Sequence, residues 1–97
     1  MALRHDEQTD ELFRSILTLK NIEECYSYFE DLCTNKEIRE LGQRLEIAKQ
    51  LSQGRSYLQA AESLGASSAT ISRVNRCLEY GDGGYKMILS RLGGSYE

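Results

Sequence analysis

Between positions 67 and 76 the chain gathers short hydroxyls and cations. Ser67, Ser68, Thr70 and Ser72 are followed by Arg73 and Arg76, one turn apart if the segment is helical. Short polar side chains let a helix approach base edges and phosphate oxygens, and arginine offers paired hydrogen bonds to phosphate or guanine. A face that is merely solvated more often carries glutamate and lysine. The chemistry on offer is recognition of nucleic acid.

Bond-making chemistry has little material here. His5 is the sole histidine and stands near the N-terminus. The GDGG run at Gly81–Gly84 follows no strand and reads as a turn, not as a phosphate loop. The carboxylate pairs Glu23–Glu24 and Glu30–Asp31 fall on solvated helix faces. Cys25, Cys33 and Cys77 are odd in number and form neither a disulfide framework nor a zinc pattern. No enzyme, cofactor or metal is expected.

The hydroxyls and arginines need an element to present them, and Tyr57–Arg76 (YLQAAESLGASSATISRVNR) supplies it. In this run the fifth residue, Ala61, is small enough for two helices to cross closely. The ninth, Gly65, can take the positive φ of a sharp turn. Ala60, Leu64, Ala66, Ile71 and Val74 are apolar at spacings that bury one seam between two nearly perpendicular helices. This is the pattern of a helix-turn-helix, which places the start of its second helix in the DNA major groove. The residues expected at the interface are Gln59, Ser67, Ser68, Ala69, Ser72, Arg73 and Arg76. Ser68, Ala69 and Ser72 would face bases, Ala69 meeting a thymine methyl. Arg73 and Arg76 would touch phosphate, with guanine also within reach of Arg76, and Gln59 would reach an adenine or a phosphate. The start of the helix at Ser56 and Tyr57 can donate backbone N–H groups to a phosphate.

The rest of the chain reads as helix too. Asp6 or Thr9 opens a first helix with Leu12, Phe13, Ile16, Leu17 and Leu19 on one side. Asn21, with Glu24 three residues on, opens a second through a capping box. Its stripe is Ile22, Cys25, Tyr26, Phe29, Leu32 and Cys33. Thr34, with Glu37, opens a third whose stripe is Ile38, Leu41, Leu45, Ala48 and Leu51, stopped by Gly54. Ser56 caps the fourth, Ser67 or Ser68 the fifth, which runs to about Tyr80. A short sixth carries Tyr85, Ile88, Leu89 and Leu92. The fold class is all-α: six short helices in one helical DNA-binding domain spanning 1–97, with dimerisation helices over 1–33, the helix-turn-helix over 57–76 and a frayed tail over 93–97.

The 97 residues carry 12 lysines and arginines against 15 acids, a net charge of −3. The imbalance is local. Residues 1–33 hold Arg4, Arg14 and Lys20 against eight acids, whereas Arg55–Arg76 hold three arginines against Glu62. Few phosphates would be neutralised, so non-specific binding is weak and specific contacts must dominate. Two copies help: a homodimer offers two reading helices to successive major grooves, roughly 34–36 Å apart. The strongly apolar sides of the first two helices, in a chain marginal for an isolated core, would be covered by the partner copy. No apolar run is long enough for a bilayer, and the acidic MALRHDEQTDEL start is no secretory signal, so the expected compartment is the cytoplasm.

Thr34–Gly54, TNKEIRELGQRLEIAKQLSQG, followed by ATISR at Ala69–Arg73, resembles the tryptophan repressor family, and is most similar to its YerC/YecD-like group. The pairing of Leu41, Gly42 and Arg44 with Thr70–Arg73 carries the likeness, over about Leu32–Leu92. The resemblance implies an intertwined helical homodimer that binds double-stranded operator DNA as a transcriptional regulator, with repression the expected sense. It also implies a ligand pocket: Arg44 and Arg73 fall on the two arginines that flank the bound indole, and Thr34 on a loop threonine lining the pocket. Val74, however, stands where the family has glycine, and Cys77 replaces a serine. Overpacking by three carbons costs about 1–3 kcal/mol, so tryptophan is not the expected corepressor; whether another small molecule acts as effector stays open. The alternative function is a protein-interaction module that keeps the helix-turn-helix as scaffold and binds a partner through the acidic first helices.

Overall fold

The computed structural model describes residues 4–93. They form six α-helices: α1 (Glu7–Ile16), α2 (Ile22–Leu32), α3 (Asn35–Ser52), α4 (Tyr57–Leu64), α5 (Ser68–Tyr80) and α6 (Gly84–Gly93), with no strand among the described residues. The all-α expectation holds. The frayed tail expected over 93–97 lies, beyond Gly93, outside the described residues. The chain divides into two compact units between Asn35 and Lys36.

Local side-chain chemistry sets the helix starts. Asp6 caps α1 by accepting from the Thr9 N–H at 2.7 Å. Asn21 caps α2 by accepting from the Glu24 N–H at 2.8 Å. Glu24 does not complete the expected box, because its carboxylate accepts from the Lys20 N–H at 3.0 Å, one residue upstream of the cap. A full box is formed at α4: Ser56 Oγ accepts from the Gln59 N–H at 3.1 Å and Gln59 Oε1 from the Ser56 N–H at 2.9 Å. Ser67, not Ser68, caps α5, accepting from the Thr70 N–H at 3.2 Å.

In the first unit α1 and α2 contain no buried residue. Ser15 Oγ and Tyr28 Oη meet at 2.6 Å and tie the two helices together. Leu17, Ile22 and Tyr26 stay 83 %, 69 % and 67 % exposed.

In the second unit the core is one cluster contributed by four helices: Ile47 and Ala48 from α3, Ala60 from α4, Ile71 and Val74 from α5, and Leu89 from α6. Leu64, Ala61 and Ala66 pack against it as partly buried neighbours. The α4–α5 seam is thus built from the residues the spacing picked out. The stripe expected on α3 holds at Ala48, with Leu45 and Leu51 packed against the core, but it is incomplete. Ile47, outside that stripe, is fully buried, while Leu41, inside it, is 49 % exposed. The cause is that all buried residues of this 18-residue helix, Ile47, Ala48 and Gln50, lie in its C-terminal half.

The corner between α4 and α5 turns at Gly65, which caps α4 at φ 64 and ψ 25 while its N–H bonds to the Ala61 carbonyl at 2.9 Å. A Cβ there would meet nothing within 4 Å. The demand for glycine is therefore conformational and not steric. Gly65→Ala should destabilise the fold by about 1–2 kcal/mol, read as a lowered urea midpoint with an unchanged slope; an unaltered midpoint would contradict the corner described here.

Candidate nucleic-acid interface

On α5, Ile71 and Val74 point into the core. At 100° per residue, Ser68, Ala69, Ser72, Arg73 and Arg76 fall within an arc of about 140° on the opposite side, and all five are exposed. The structure therefore gathers these five predicted residues on one helix face. Arg73 and Arg76 form no ion pair with another described residue.

The two remaining predicted residues are exposed but already engaged. Ser67 Oγ holds the α5 cap and lies 2.9 Å from Thr70 Oγ1. Gln59 Oε1 is held in the α4 box, so the amide keeps its Nε2 donor for a partner. With the cap in place, Gln59 Oε1 keeps its second lone pair and Nε2 its protons, so an adenine edge and a phosphate both stay within its chemistry.

Charge at the helix starts separates the elements into two groups. Acids occupy the first turns of α1 (Glu7, Asp10), α2 (Glu23, Glu24) and α3 (Glu37), where they complement the positive end of the helix dipole. The first turns of α4, α5 and α6 hold none. Both helices of the corner thus begin with uncompensated positive ends, suited to phosphate.

Of the residues matched to a ligand pocket, Arg44 and Arg73 both act electrostatically on the phenol of Tyr85 on α6. Burial pushes that phenol above its ordinary value near 10, the Cys77 thiol adds to the rise, and the guanidinium groups of Arg44 and Arg73 pull against it. Thr34 is exposed and belongs to the first unit. Val74 is 1 % exposed, its side chain part of the core. Cys77 is an exposed free thiol. Reading Tyr85 as one apolar residue of the sixth helix missed the influence of the arginines on it. The available signal was its position one turn before Leu89, which puts it on the core side of α6. Gln43 and Gln50, which tie α3 to α4, were also missed.

The Tyr85 environment has a measurable consequence. The neutral phenol is favoured in the folded state. The stability it adds is fully present below the unfolded-state value near 10 and is lost as pH rises through the higher folded value. An ultraviolet phenolate titration should show a late-ionising step that Tyr85→Phe removes; an identical titration curve, less one ordinary tyrosine, would refute this.

A family model described as Trp repressor protein matches residues 7–93. The chain is similar to the uncharacterized protein YerC of Bacillus subtilis (strain 168), with 54% identity over 86 residues that cover 89% of this chain and 83% of the relative. It is also similar to the crystal structure of a TrpR like protein from Eubacterium eligens ATCC 27750. The TM-score is 0.84 and the identity 55%, with 87% of each chain covered.

Proposed function

We propose that this chain, which belongs to the Trp repressor family, is a sequence-specific DNA-binding transcriptional regulator, acting as a repressor in the cytoplasm. The observation that carries the reading is the α5 face: Ser68, Ala69, Ser72, Arg73 and Arg76 exposed together, free of acidic partners, opposite a buried Ile71–Val74 seam. Ser68, Ala69 and Ser72 contact base edges. Arg73 and Arg76 bind phosphate, joined by Gln59 Nε2 and the acid-free start of α4. Ser67 acts chiefly by fixing the start of α5.

The active species is a homodimer on a near-palindromic operator. Support comes from α1 and α2, which bury nothing and leave Leu17, Ile22 and Tyr26 in water. Apolar surface of this kind on a small chain is what a second copy covers. The same exposed, acidic helices are what the protein-interaction reading would use. Retention on random-sequence DNA at low salt and release at high salt favours the DNA reading over it.

No effector is needed. Val74 occupies core volume where an indole edge would have to enter, so the reading helix is held by its own side chain. Calorimetry with free tryptophan should show no micromolar binding, whereas Val74→Gly should gain affinity for indole-containing ligands if it stays folded. Micromolar binding to the unaltered protein would overturn the filled-pocket reading.

Selection of bound duplexes from a random pool at physiological salt should return one site with two-fold symmetry; recovery of no consensus would defeat the proposal. On that site Arg73→Ala should weaken binding across all sequences and reduce the salt slope by about one unit. An unchanged slope would remove Arg73 from the phosphate contacts.

A further inference from the structure

α3 carries two glutamines seven residues apart, close to two helical turns and so on one face. Both reach the last turn of α4. Gln43 Nε2 donates to the Leu64 carbonyl at 3.3 Å, and Ser63 Oγ donates to Gln50 Oε1 at 2.9 Å. Leu64 is the last residue of α4, and its carbonyl has no partner further along that helix.

Gln50 is only 9 % exposed, among the apolar residues of the core. Its Nε2 donates to Glu46 Oε2 at 3.3 Å. Its backbone carbonyl accepts from the Gln53 and Arg55 N–H groups, both at 3.1 Å. One residue therefore joins the end of α3, the turn into α4 and the last turn of α4. A buried amide is costly unless its hydrogen bonds are made, and a leucine here would pack without that condition.

What the amides add is direction. The contact between Ile47 and Ala48 on one side and Ala60, Ile71 and Val74 on the other is made of aliphatic side chains, and such burial is non-directional. Aliphatic surfaces can pivot on one another at little cost. Hydrogen bonds at two points along α3 cannot keep their geometry through such a pivot.

We propose that Gln43 and Gln50 are positioning residues that fix the tilt of the α4–α5 pair on α3, and with it the spacing at which the two reading helices of a dimer meet DNA. The inference rests on the DNA-binding dimer proposed above. It identifies which contacts, apart from those to DNA, set specificity.

The test compares Gln43→Ala, Gln50→Leu, Ser63→Ala and Ser63→Thr with the unaltered protein. Each is measured for thermal midpoint and for affinity to the selected operator and to versions with the half-sites moved by one or two base pairs. Gln43→Ala removes one bond between α3 and α4 from the α3 side, and Ser63→Ala removes the other from the α4 side together with a long 3.5 Å bond to the Ala60 carbonyl, so the result does not depend on Gln50→Leu folding well. The unaltered protein should prefer its own spacing. In the three disrupting variants that preference should fall by roughly two- to tenfold per bond lost, while Ser63→Thr, which keeps the hydroxyl, should retain it. Weaker binding with the spacing preference intact would assign the glutamines to stability alone and overturn the inference. Failure of the unaltered protein to select any duplex would instead defeat the DNA-binding reading and the inference with it.

Discussion

The small, close contact of Ala60 with Ile71 and Val74, seated on Ile47 and Ala48, is the constraint from which the rest of the second unit follows. Two short helices of 8 and 13 residues cannot hold an angle by themselves. Ala60, fully buried on α4, shares one cluster with the branched Ile71 and Val74 of α5, and the small Ala61 packs partly buried against it. Once Ile71 and Val74 are committed to the core, the opposite face of α5 is committed to solvent, with its hydroxyls and arginines. Burial at two positions thus decides exposure at five.

The electrostatic design follows the same division. Acid stands in the first turns of α1, α2 and α3 and is absent from those of α4, α5 and α6. At α4 and α5 the neutral caps Ser56 and Ser67 hold the helix starts. A serine cap satisfies the orphan N–H groups without adding a negative charge. On the DNA-binding reading proposed above, an acidic chain meets an anionic ligand through elements whose first turns carry no acid.

Much of this was legible in the sequence, and what was not has a common cause. Periodicity identified the seam, since Ala60, Ile71 and Val74 are buried as spaced, and cap chemistry marked the starts of α2, α4 and α5 to within a residue, with Asp6 one of the two candidates for α1. The capping box at Ser56 and Gln59 was equally local and could have been read; attention to glutamate as the third residue obscured glutamine in the same role. Ile47 was harder, because an 18-residue helix has several possible stripes and only its neighbours choose among them. The glutamine ties to Ser63 and Leu64 could not be read at all. A glutamine on a helix carries no mark of whether its amide faces water or a carbonyl 21 residues away. The candidate site divides likewise: the face of α5 follows from helix geometry, whereas the electrostatic influence of Arg44 and Arg73 on Tyr85 links three helices and exists only once they are packed.

The open space around Gly65 bears on chirality. An L-residue at φ 64 is disfavoured by its own backbone, yet nothing outside that residue lies where a side chain would go. The mirror-image amino acid prefers this region of backbone space. A D-alanine introduced there by chemical synthesis matches the corner's φ and restricts the unfolded chain, two effects opposite in sign to the backbone penalty of the natural enantiomer. At this one position the fold calls for a handedness that ribosomal synthesis does not supply, and glycine, having none, answers it.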